Sequence, residues 1–505
     1  MVLAYAEKSR RATDVRVGTE LGPAFSVPLI DGIVESVNLG IRSSDVTILD
    51  RRQFMEQSVA GLALLGLSRT AFSAPAGPIL LSANGCGRAT GYAEANKIVT
   101  SGGKTHAAWL DSEADGFRVR IRTLDHTSNA WSETITIDEA FDNHGGPALT
   151  IDSEGYLHIA YYPHHHPMRY RRSVRPNDAS EWTPAVEIGT RATYPTLVCG
   201  PDDTLYLTHR VSSKEEPWWV DLYTKTKGAA DWSEPTRILQ ADEGGYAHFM
   251  ETLAWGPSGK TLHLATRLYG GDPPRGHTVG YMKSDDGGAT WTKRDGSPIT
   301  LPATSRTIDI AEQARDEEGV GFRAGSMAID SENRPAILCA SYDKLPLESW
   351  LVTLDKDNVW QRKNLRPLLP AAYADWGVST PGGVTYTENG TLYVVLQMAR
   401  PEGVKDTTIW GHPSCEVVLF ESRDRGETFT SRVLTTPDPS RPRWLPSLER
   451  PTGHNRVIDV PGLIYTDGGR GENNRQILSN NVYWQSLQRR FELVGTTEHP
   501  PSNGD

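Results

Sequence analysis

A hairpin that recurs seven times is the feature that most constrains how this chain can fold. Each copy has a short apolar strand, a tight turn with Gly, Asp or Asn, and a returning strand with alternating apolar residues. One such unit cannot bury its apolar face alone, so neighbouring units must pack together. The copies are NKIVTSGGKTHAAWLD, GPALTIDSEGYLHIAYY, YPTLVCGPDDTLYLTHR, METLAWGPSGKTLHLATR, GSMAIDSENRPAILCASYD, GGVTYTENGTLYVVLQ and DVPGLIYTDGGRGENNRQILSN.

The repeat predicts an all-β fold, a seven-bladed β-propeller of four-stranded antiparallel blades over residues 77–495. Its last strands, near Trp484–Phe491, should close the ring with the first blade near Asn84–Leu110. Two β-sandwiches are the alternative, which is disfavoured because nothing interrupts the repeat. We expect residues 496–505 to form a disordered tail.

Two of the turns match the Asp-box pattern S-x-D-x-G-x-T-[WF], namely SDDGGATW at Ser284–Trp291 and SRDRGETF at Ser422–Phe429. In such a turn the Asp accepts hydrogen bonds from backbone N–H groups, and the Gly permits a positive φ. The aromatic residue packs between neighbouring sheets. We therefore predict a structural role for both motifs, which are specific to β-propellers.

Composition excludes several classes of function. The net charge of the 505 residues is −11, which argues against general nucleic-acid binding because phosphates require a basic surface. A cleft can still focus a local positive potential. The four cysteines are far apart and form no CxxC pair, so we predict buried small residues rather than a disulfide framework or a zinc ribbon; they are Cys86, Cys199, Cys339 and Cys415.

Residues 51–76 have the order of a bacterial twin-arginine export signal. Arg51 and Arg52 precede an apolar run from Val59 to Leu67, and small residues ending in SAPA follow. The run is too short to span a membrane permanently, and a short buried helix is the alternative reading. We expect translation to begin at Val46, with residues 1–76 being an upstream extension plus the signal. The predicted location is periplasmic or extracellular, with no membrane association after cleavage.

Propeller geometry places two groups of residues on one face, around the central channel. Residues just before an inner strand share this face with residues just after the second strand, because the hairpin turn lies at the opposite face. The first group is His144, Tyr194, His248 and Arg323, and the second is His164, His165, His166, Arg210, Arg267 and Asp343. His144 with His164, Tyr194 with Arg210, and His248 with Arg267 flank three consecutive hairpins, so we predict that these six residues converge.

The stretch HHHPMRYRRSVR, residues 164–175, concentrates imidazole and guanidinium groups in an acidic chain. A metal site is one reading, but neighbouring side chains of an extended segment point in opposite directions, and we find no acidic partner at ligand spacing. We predict no metal and no cofactor. Arg169–Arg175 is interpreted as a solvated turn, and His165 and His166 as surface residues.

Histidine, tyrosine and arginine together suit β-elimination from a uronic acid. Arginine neutralises the carboxylate, which acidifies the C5 proton and stabilises the enolate-like intermediate. A deprotonated tyrosine or a neutral histidine removes that proton, and a tyrosine hydroxyl returns one to the glycosidic oxygen. No pair of carboxylates dominates the sequence, which disfavours ordinary glycoside hydrolysis. Each residue also has a structural reading: a hydrogen-bonded turn for His144, a channel-filling ring for Tyr194 and an interblade ion pair for Arg210.

The motifs NHGGP, HHHPMRYRRS, TYPTL and LTHR resemble those of the propeller polysaccharide lyases, the ulvan lyases and rhamnose–glucuronate lyases, within the wider group of BNR (Asp-box) repeat proteins. The resemblance covers roughly residues 85–490. It implies that Tyr194 is base and acid with His144 assisting, that Arg210 neutralises the carboxylate, and that His164 helps to bind it.

The sequence therefore predicts an exported carbon–oxygen lyase that acts as a monomer on an acidic polysaccharide or oligosaccharide. Arg267 and His248 are expected to bind substrate. Three alternatives stay open. The first is a sialidase-like glycosidase, for which Arg210, Arg267 and Arg323 would supply three arginines; the others are a non-catalytic sugar-binding propeller and a scaffold for protein partners.

Overall fold

A computed structural model describes residues 77–92, 94–268, 278–313, 322–341, 346–401, 409–438 and 440–487, with the side chains of residues 322, 323 and 325 excepted. The predicted export signal and tail, together with Asp343, Phe491 and the Arg323 side chain, lie outside the described residues. Those predictions and the predicted domain boundaries stay predictions.

The described residues form 31 β-strands and two short 3-10 turns, and they contain no α-helix. The prediction of an all-β chain is therefore confirmed. No helix in this part of the chain is long and apolar enough to cross a membrane. The first sixteen strands are β1 (Ile79–Gly85), β2 (Ile98–Ser101), β3 (Lys104–Glu113), β4 (Gly116–Asp125), β5 (Ala130–Trp131), β6 (Ile135–Ala140), β7 (Ala148–Ile151), β8 (Leu157–Tyr161), β9 (His166–Arg175), β10 (Asp178–Trp182), β11 (Val186–Cys199), β12 (Leu205–Val211), β13 (Trp219–Lys225), β14 (Thr236–Gln240), β15 (Thr252–Trp255) and β16 (Leu262–Leu268).

The second half of the described chain continues the same succession of short strands. The two 3-10 turns, Arg366–Leu368 and Ala371–Tyr373, lie between β24 and β25. The strands are β17 (Thr278–Ser284), β18 (Trp291–Thr292), β19 (Pro298–Ile299), β20 (Asp309–Gln313), β21 (Phe322–Ile329), β22 (Pro335–Ser341), β23 (Ser349–Leu354), β24 (Trp360–Asn364), β25 (Gly377–Tyr386), β26 (Leu392–Ala399), β27 (Glu416–Ser422), β28 (Thr430–Val433), β29 (Arg443–Leu448), β30 (Gly462–Asp467) and β31 (Asn480–Ser486).

Antiparallel pairing joins these strands into five sheets of nine, eight, six, four and four strands. The nine-stranded sheet contains both ends of the described chain, because β31 pairs with β1 at Trp484↔Ile79. The expected pairing of the last strands with the first is thus present. Five sheets do not fix the predicted number of seven blades, because the three largest sheets continue through more than four strands.

Inner strands of the sheets are buried almost completely. All seven residues of β12, of β16 and of β22 are buried, as expected for strands covered on both faces. Apolar clusters cross from one sheet to the next, and one of them joins side chains of β11–β14 to those of β15–β18. The four cysteines are buried and free, which confirms the prediction from their spacing.

Both Asp boxes have the predicted geometry. The Asp286 carboxylate accepts a hydrogen bond from the Thr290 N–H at 2.8 Å, and Asp424 accepts one from the Thr428 N–H at 2.9 Å. Gly288 and Gly426 adopt φ values of +88° and +94°, where a side chain would be strained. Trp291 is 1% exposed and packs in the cluster that joins two sheets. The motif therefore orients an aromatic side chain between sheets.

We expect Trp291→Ala to lower the free energy of unfolding by about 3–5 kcal/mol, because the substitution leaves a cavity between two sheets. Thermal and urea denaturation would measure the loss. The matched control is Trp360→Ala, because Trp360 also follows a polar turn but is only half-buried. This substitution should lower the free energy of unfolding clearly less than Trp291→Ala does. Equal losses for the two variants would contradict the buried role of the Asp-box aromatic.

Candidate active site

One cavity of about 500 Å³ collects four of the six residues that were predicted to converge. Its volume lies in the usual range for small-molecule sites. His144, Tyr194, His248 and Arg267 line it. The other lining residues are Arg88, Tyr92, Asn143, Tyr246, Met250, Thr380, Pro381, Trp410, Arg470, Gly471, Glu472, Asn473 and Asn474.

Tyr194 lies at the centre of an aromatic group. Its ring is 4.6 Å from that of Tyr92 and 4.3 Å from that of His248, both in edge-on contact. The backbone at Tyr194 has φ +61°, a conformation that a bulky residue rarely adopts. Burial raises the pKa of Tyr194 well above its usual value, and the neighbouring Tyr92 and Tyr246 add to the rise. Tyr194 is therefore held as a neutral phenol that can donate a proton.

Arg210 lies beneath this group rather than at the cavity surface. The residue is 1% exposed, and its guanidinium stacks on the rings of Tyr194, Trp218 and Tyr246, at 4.6, 4.7 and 5.3 Å from their centroids. It also donates a hydrogen bond to the Ala247 carbonyl at 3.1 Å. This position suits a cation that acts on the tyrosines, and the carboxylate-binding role predicted for Arg210 stays a prediction.

Tyr246 is a candidate functional residue that the sequence analysis missed. Burial alone would raise the pKa of its hydroxyl, but Arg210, which hydrogen bonds to it, and Arg267 lower the pKa below the usual value, and a hydrogen bond from Tyr194 contributes further. The side chain as a whole is 54% exposed, so the phenol is accessible while its hydroxyl faces the two cations. A tyrosine of this kind can act as a base.

His144 and His164 are joined by a carboxylate that the sequence analysis did not recognise. Asp142 accepts from Nδ1 of His144 at 3.0 Å and from Nδ1 of His164 at 2.6 Å, and the two rings stack at 3.8 Å. The expectation that no acidic partner lies near these histidines is therefore wrong. The three residues also have ligand atoms within 4.8 Å of one another, which is a donor set that could hold a metal ion.

The protonation of His144 follows from these contacts. Burial lowers the pKa of His144 to about 3, although Asp142 opposes the shift. Nε2 of His144 contacts the Arg88 guanidinium, which also hydrogen bonds to the Tyr92 hydroxyl. Nδ1–H of His144 donates to Asp142, and Nε2 accepts from Arg88. His144 is therefore neutral, and it fixes the orientation of the Arg88 guanidinium.

The rest of the histidine–arginine stretch differs from its prediction. His165 and His166 are half-buried rather than on the surface, because His165 contacts the Ser212 hydroxyl at 2.7 Å and His166 packs on Phe141 at 4.1 Å. The arginines belong to strand β9 instead of a turn. Arg171 pairs with Asp138 at 3.1 Å, so part of this basic charge is neutralised within the sheet.

The cavity is positively charged although the protein is acidic. Its described lining residues include Arg88, Arg267 and Arg470, with Glu472 as the one carboxylate. Arg88 also stacks on Trp410 at 5.3 Å, which leaves an aromatic and cationic wall beside the tyrosines. This arrangement suits a ligand that carries a carboxylate and presents a sugar ring to aromatic side chains.

Two buried carboxyl groups lie behind the cavity. Glu94 and Glu251 are both 0% exposed, and Glu94 is 3.9 Å from Nε2 of His248. Lys97 and Arg450 are buried beside Glu94 and attract it. Burial raises the pKa of Glu251 to about 8, and the charge of Glu94 adds to the rise. Buried ionisable groups therefore lie behind the positively charged side chains of the cavity.

Comparison with known proteins places the chain in a family. The profile of the family described as BNR repeat-containing family member matches residues 104–367, which is more than half of the sequence. The chain belongs to this BNR repeat-containing family.

Ulvan lyases are among the relatives of this BNR protein. It is 24% identical over 302 residues to "Ulvan Lyase-PL25" of Pseudoalteromonas sp. (strain PLSV), covering 52% of this chain and 60% of that protein. It is 23% identical over 275 residues to "Ulvan lyase" of Alteromonas sp. (strain LOR), covering 46% and 56%. The match therefore spans less than two thirds of the length of these relatives.

A solved structure shows the same fold. The structure of a polysaccharide lyase PL25 ulvan lyase bound to -[GlcA(1-4)Rha3S]- superposes with a TM-score of 0.62 at 14% identity, covering 81% of this chain and 98% of that one. Polysaccharide lyase Uly1 superposes with a TM-score of 0.52 over the same shares. The BNR protein thus has a propeller-like all-β fold.

We expect Glu251→Gln to stabilise the protein by an amount that grows with pH. The folded state keeps the Glu251 proton up to about pH 8, whereas the unfolded state releases it near pH 4.5. The natural protein therefore loses stability between these values, and the amide does not.

The melting temperature of each protein between pH 5 and pH 9 would measure this difference. The difference in melting temperature between Glu251→Gln and the natural protein should increase up to about pH 8 and then level off. The exposed Glu388→Gln serves as a control and should show little dependence on pH. A constant difference for Glu251→Gln would contradict the raised pKa.

Proposed function

We propose that this protein is a polysaccharide lyase that cleaves a uronate-containing polysaccharide by β-elimination. The observation that carries the proposal is the pair of hydrogen-bonded tyrosines in a cationic cavity, with the Arg210 guanidinium stacked on both rings. The exposed Tyr246 beside the arginines and the buried, neutral Tyr194 differ enough in environment to serve as base and acid. The names of the ulvan lyase relatives support the same class of reaction.

The reaction begins with the uronate carboxylate against Arg88 and Arg267. Their charge stabilises the enolate-like intermediate as the C5 proton leaves. We assign the removal of that proton to the Tyr246 phenolate, and the return of a proton to the glycosidic oxygen at C4 to the Tyr194 hydroxyl. The C5–H and C4–O bonds break, and a C4=C5 double bond forms. The hydrogen bond between the tyrosines then returns the proton to Tyr194.

This assignment refines the roles expected from the sequence. Tyr194 keeps the acid role because burial outweighs the nearby arginines and keeps its hydroxyl neutral. We assign the base role to Tyr246, whose hydroxyl hydrogen bonds to Arg210 and also lies near Arg267. His144 acts by orienting Arg88, and His164 acts through Asp142 on His144. His248 packs against the Tyr194 ring and accepts a hydrogen bond at its carbonyl from Arg267 at 3.3 Å, which positions both.

Hydrolysis has less support at this site. A glycosidase of the common kind needs two carboxyl groups flanking the bond, and Glu472 is the only one among the described cavity residues. The sialidase-like reading needs three arginines around a carboxylate. Arg88, Arg267 and Arg470 line the cavity, but a sialidase also needs an acidic Asp, and no aspartate is among the described lining residues. An ulvan-like or rhamnose–glucuronate glycan is our proposal for the substrate.

We also infer that the strands group as seven four-stranded antiparallel blades. Consecutive pairing supports this count, because each group is linked strand to strand. The first blade contains β2, β3, β4 and β6, and the fourth contains β15, β16, β17 and β20. The last is completed by the first strand of the described chain. The groups between and after them are β7–β10, β11–β14, β21–β24, β25–β28, and β29–β31 with β1.

Phenylalanine at either tyrosine should abolish most of the elimination. We expect Tyr246→Phe and Tyr194→Phe each to lower kcat by about 10²–10⁴-fold, because each removes a positioned proton-transfer group. Ultraviolet absorbance of the unsaturated uronate would measure turnover on ulvan, glucuronan and other acidic polysaccharides. Tyr156→Phe, which lies outside the cavity, should keep full activity. New reducing ends without ultraviolet absorbance would show hydrolysis and overturn the proposal.

Arg210→Gln should move the pH dependence of elimination to higher pH. Without the guanidinium, the pKa of Tyr246 rises, so the phenolate forms only in more alkaline solution. The pH profile of kcat would show a shift of its acidic limb. Arg237→Gln is the matched control, because Arg237 also stacks on a tryptophan, Trp219, at 3.9 Å but outside the cavity. Lower kcat with an unchanged profile would contradict this role of Arg210.

A further inference from the structure

A second cavity, of about 560 Å³, shares no lining residue with the candidate active site. It is formed by the start of β11, by alternate residues of β12 and β13, and by the segment before β14. The residues are Val186, Glu187, Ile188, Gly189, Thr190, His209, Val211, Trp219, Asp221, Tyr223, Asp231, Trp232, Ser233, Glu234 and Pro235.

Strand β12 separates the two cavities. His209 lines the second one, whereas Arg210, the next residue, contacts the tyrosines of the candidate active site. Successive side chains of a strand point to opposite faces, so the two cavities lie on opposite sides of this strand. The second cavity is therefore a site of its own and not an extension of the first.

The second cavity has many acceptors of hydrogen bonds. Asp221 is 8% exposed, and Glu187, Asp231 and Glu234 are exposed at the rim. No lysine or arginine is among the described residues that line it. Its charge is opposite to that of the candidate active site, so a uronate or a sulfate ester would be repelled.

The cavity also has buried polar groups without side-chain partners. His209 is 0% exposed, and only the backbone of His209 and Arg210 approaches its ring, with no other side chain hydrogen bonded to it. Nε1 of Trp232 has no hydrogen-bond partner. Burial lowers the pKa of His209 to about 4, so the ring is neutral, with one N–H donor and one acceptor. Buried polar groups are normally paired, and these groups therefore point to a ligand that both donates and accepts.

Gly189 packs closely against these groups. It has φ +66°, and a Cβ at this position would lie 2.9 Å from Nε2 of His209 and 3.2 Å from the Tyr223 hydroxyl. Any other residue would be strained there and would fill the space in front of the imidazole. No side chain therefore stands between the Gly189 backbone and the His209 and Tyr223 side chains.

We propose that this second cavity binds a neutral saccharide unit. Its hydroxyl groups would donate to the carboxylates and accept from the Trp232 and His209 N–H groups, while Trp219, Tyr223 and Trp232 supply aromatic surface. A polyamine would satisfy only the carboxylates and would leave the N–H donors unpaired. The proposal goes beyond the proposed lyase function and rests on this cavity alone, so loss of the lyase proposal would leave it intact.

Titration of the full-length chain with neutral sugars tests the proposal. The probes are monosaccharides and disaccharides of xylose, rhamnose, glucose and galactose, followed by saturation-transfer NMR and calorimetry. We expect binding of at least one series, and we expect Asp221→Asn to weaken it by about tenfold, since a hydrogen bond to a charged acceptor is lost. The exposed pair Asp231→Asn with Glu234→Gln should weaken binding without disturbing the fold.

Matched controls and a competing ligand complete the test. Asp357→Asn with Glu427→Gln removes two exposed carboxylates elsewhere and should leave binding unchanged, and so should Tyr194→Phe in the candidate active site. Absence of binding by every neutral sugar would overturn the proposal. So would binding that the second-cavity variants do not change, or spermine binding that depends on those carboxylates while the sugars do not bind.

Discussion

The packing of one sheet against the next is the interaction on which the rest of the structure depends. Hairpins of this kind have apolar residues on both faces, and the fully buried Trp109, Trp291 and Trp444 show how completely those faces are covered. Such burial contributes roughly 25 cal/mol for each Å² of apolar surface removed from water. The inner strands are covered on both sides, and the candidate active site combines residues of these strands, such as Tyr194 and Arg267, with residues of connecting segments, such as His144 and Tyr246.

Electrostatics within the site depend on this closed packing. A guanidinium buried under aromatic rings, as Arg210 is, acts on neighbouring phenols far more strongly than one in water. The same burial keeps His144 neutral and keeps a proton on Glu251 at neutral pH. Protonation states in the cavity are therefore set by the sheets around it as much as by the side chains that face it.

Sequence reasoning predicted the parts of the site that belong to hairpins. His144, Tyr194, His248 and Arg267 were found because strand order fixes which residues share a face, and all four line one cavity. The all-β fold and the geometry of both Asp boxes followed from local turn chemistry in the same way. These features depend on periodicity and on Gly or Asp at set spacings.

The residues that were missed lie in connecting segments without periodicity. Tyr246 is two residues before His248, and Asp142 is two residues before His144. Both are close to predicted site residues, but neither belongs to a sequence pattern that would have identified it. Arg88 reaches the cavity from the loop after β1, and only tertiary structure brings it to His144. The burial of Arg210 against Trp218 could not be predicted either. The alternation of side chains along a strand predicts which face of the sheet a residue is on, but not how deeply it is buried.

The pairing of β1 with β31 makes one sheet depend on both ends of the described chain. A molecule that lost residues 79–85 would expose the backbone N–H and C=O groups of β31 as an open edge, the kind of surface that templates aggregation. The β1 strand of a second copy fits the same edge, because it carries the identical sequence and register. The contact that completes each folded chain therefore also covers an edge that would otherwise be open to pairing with another chain.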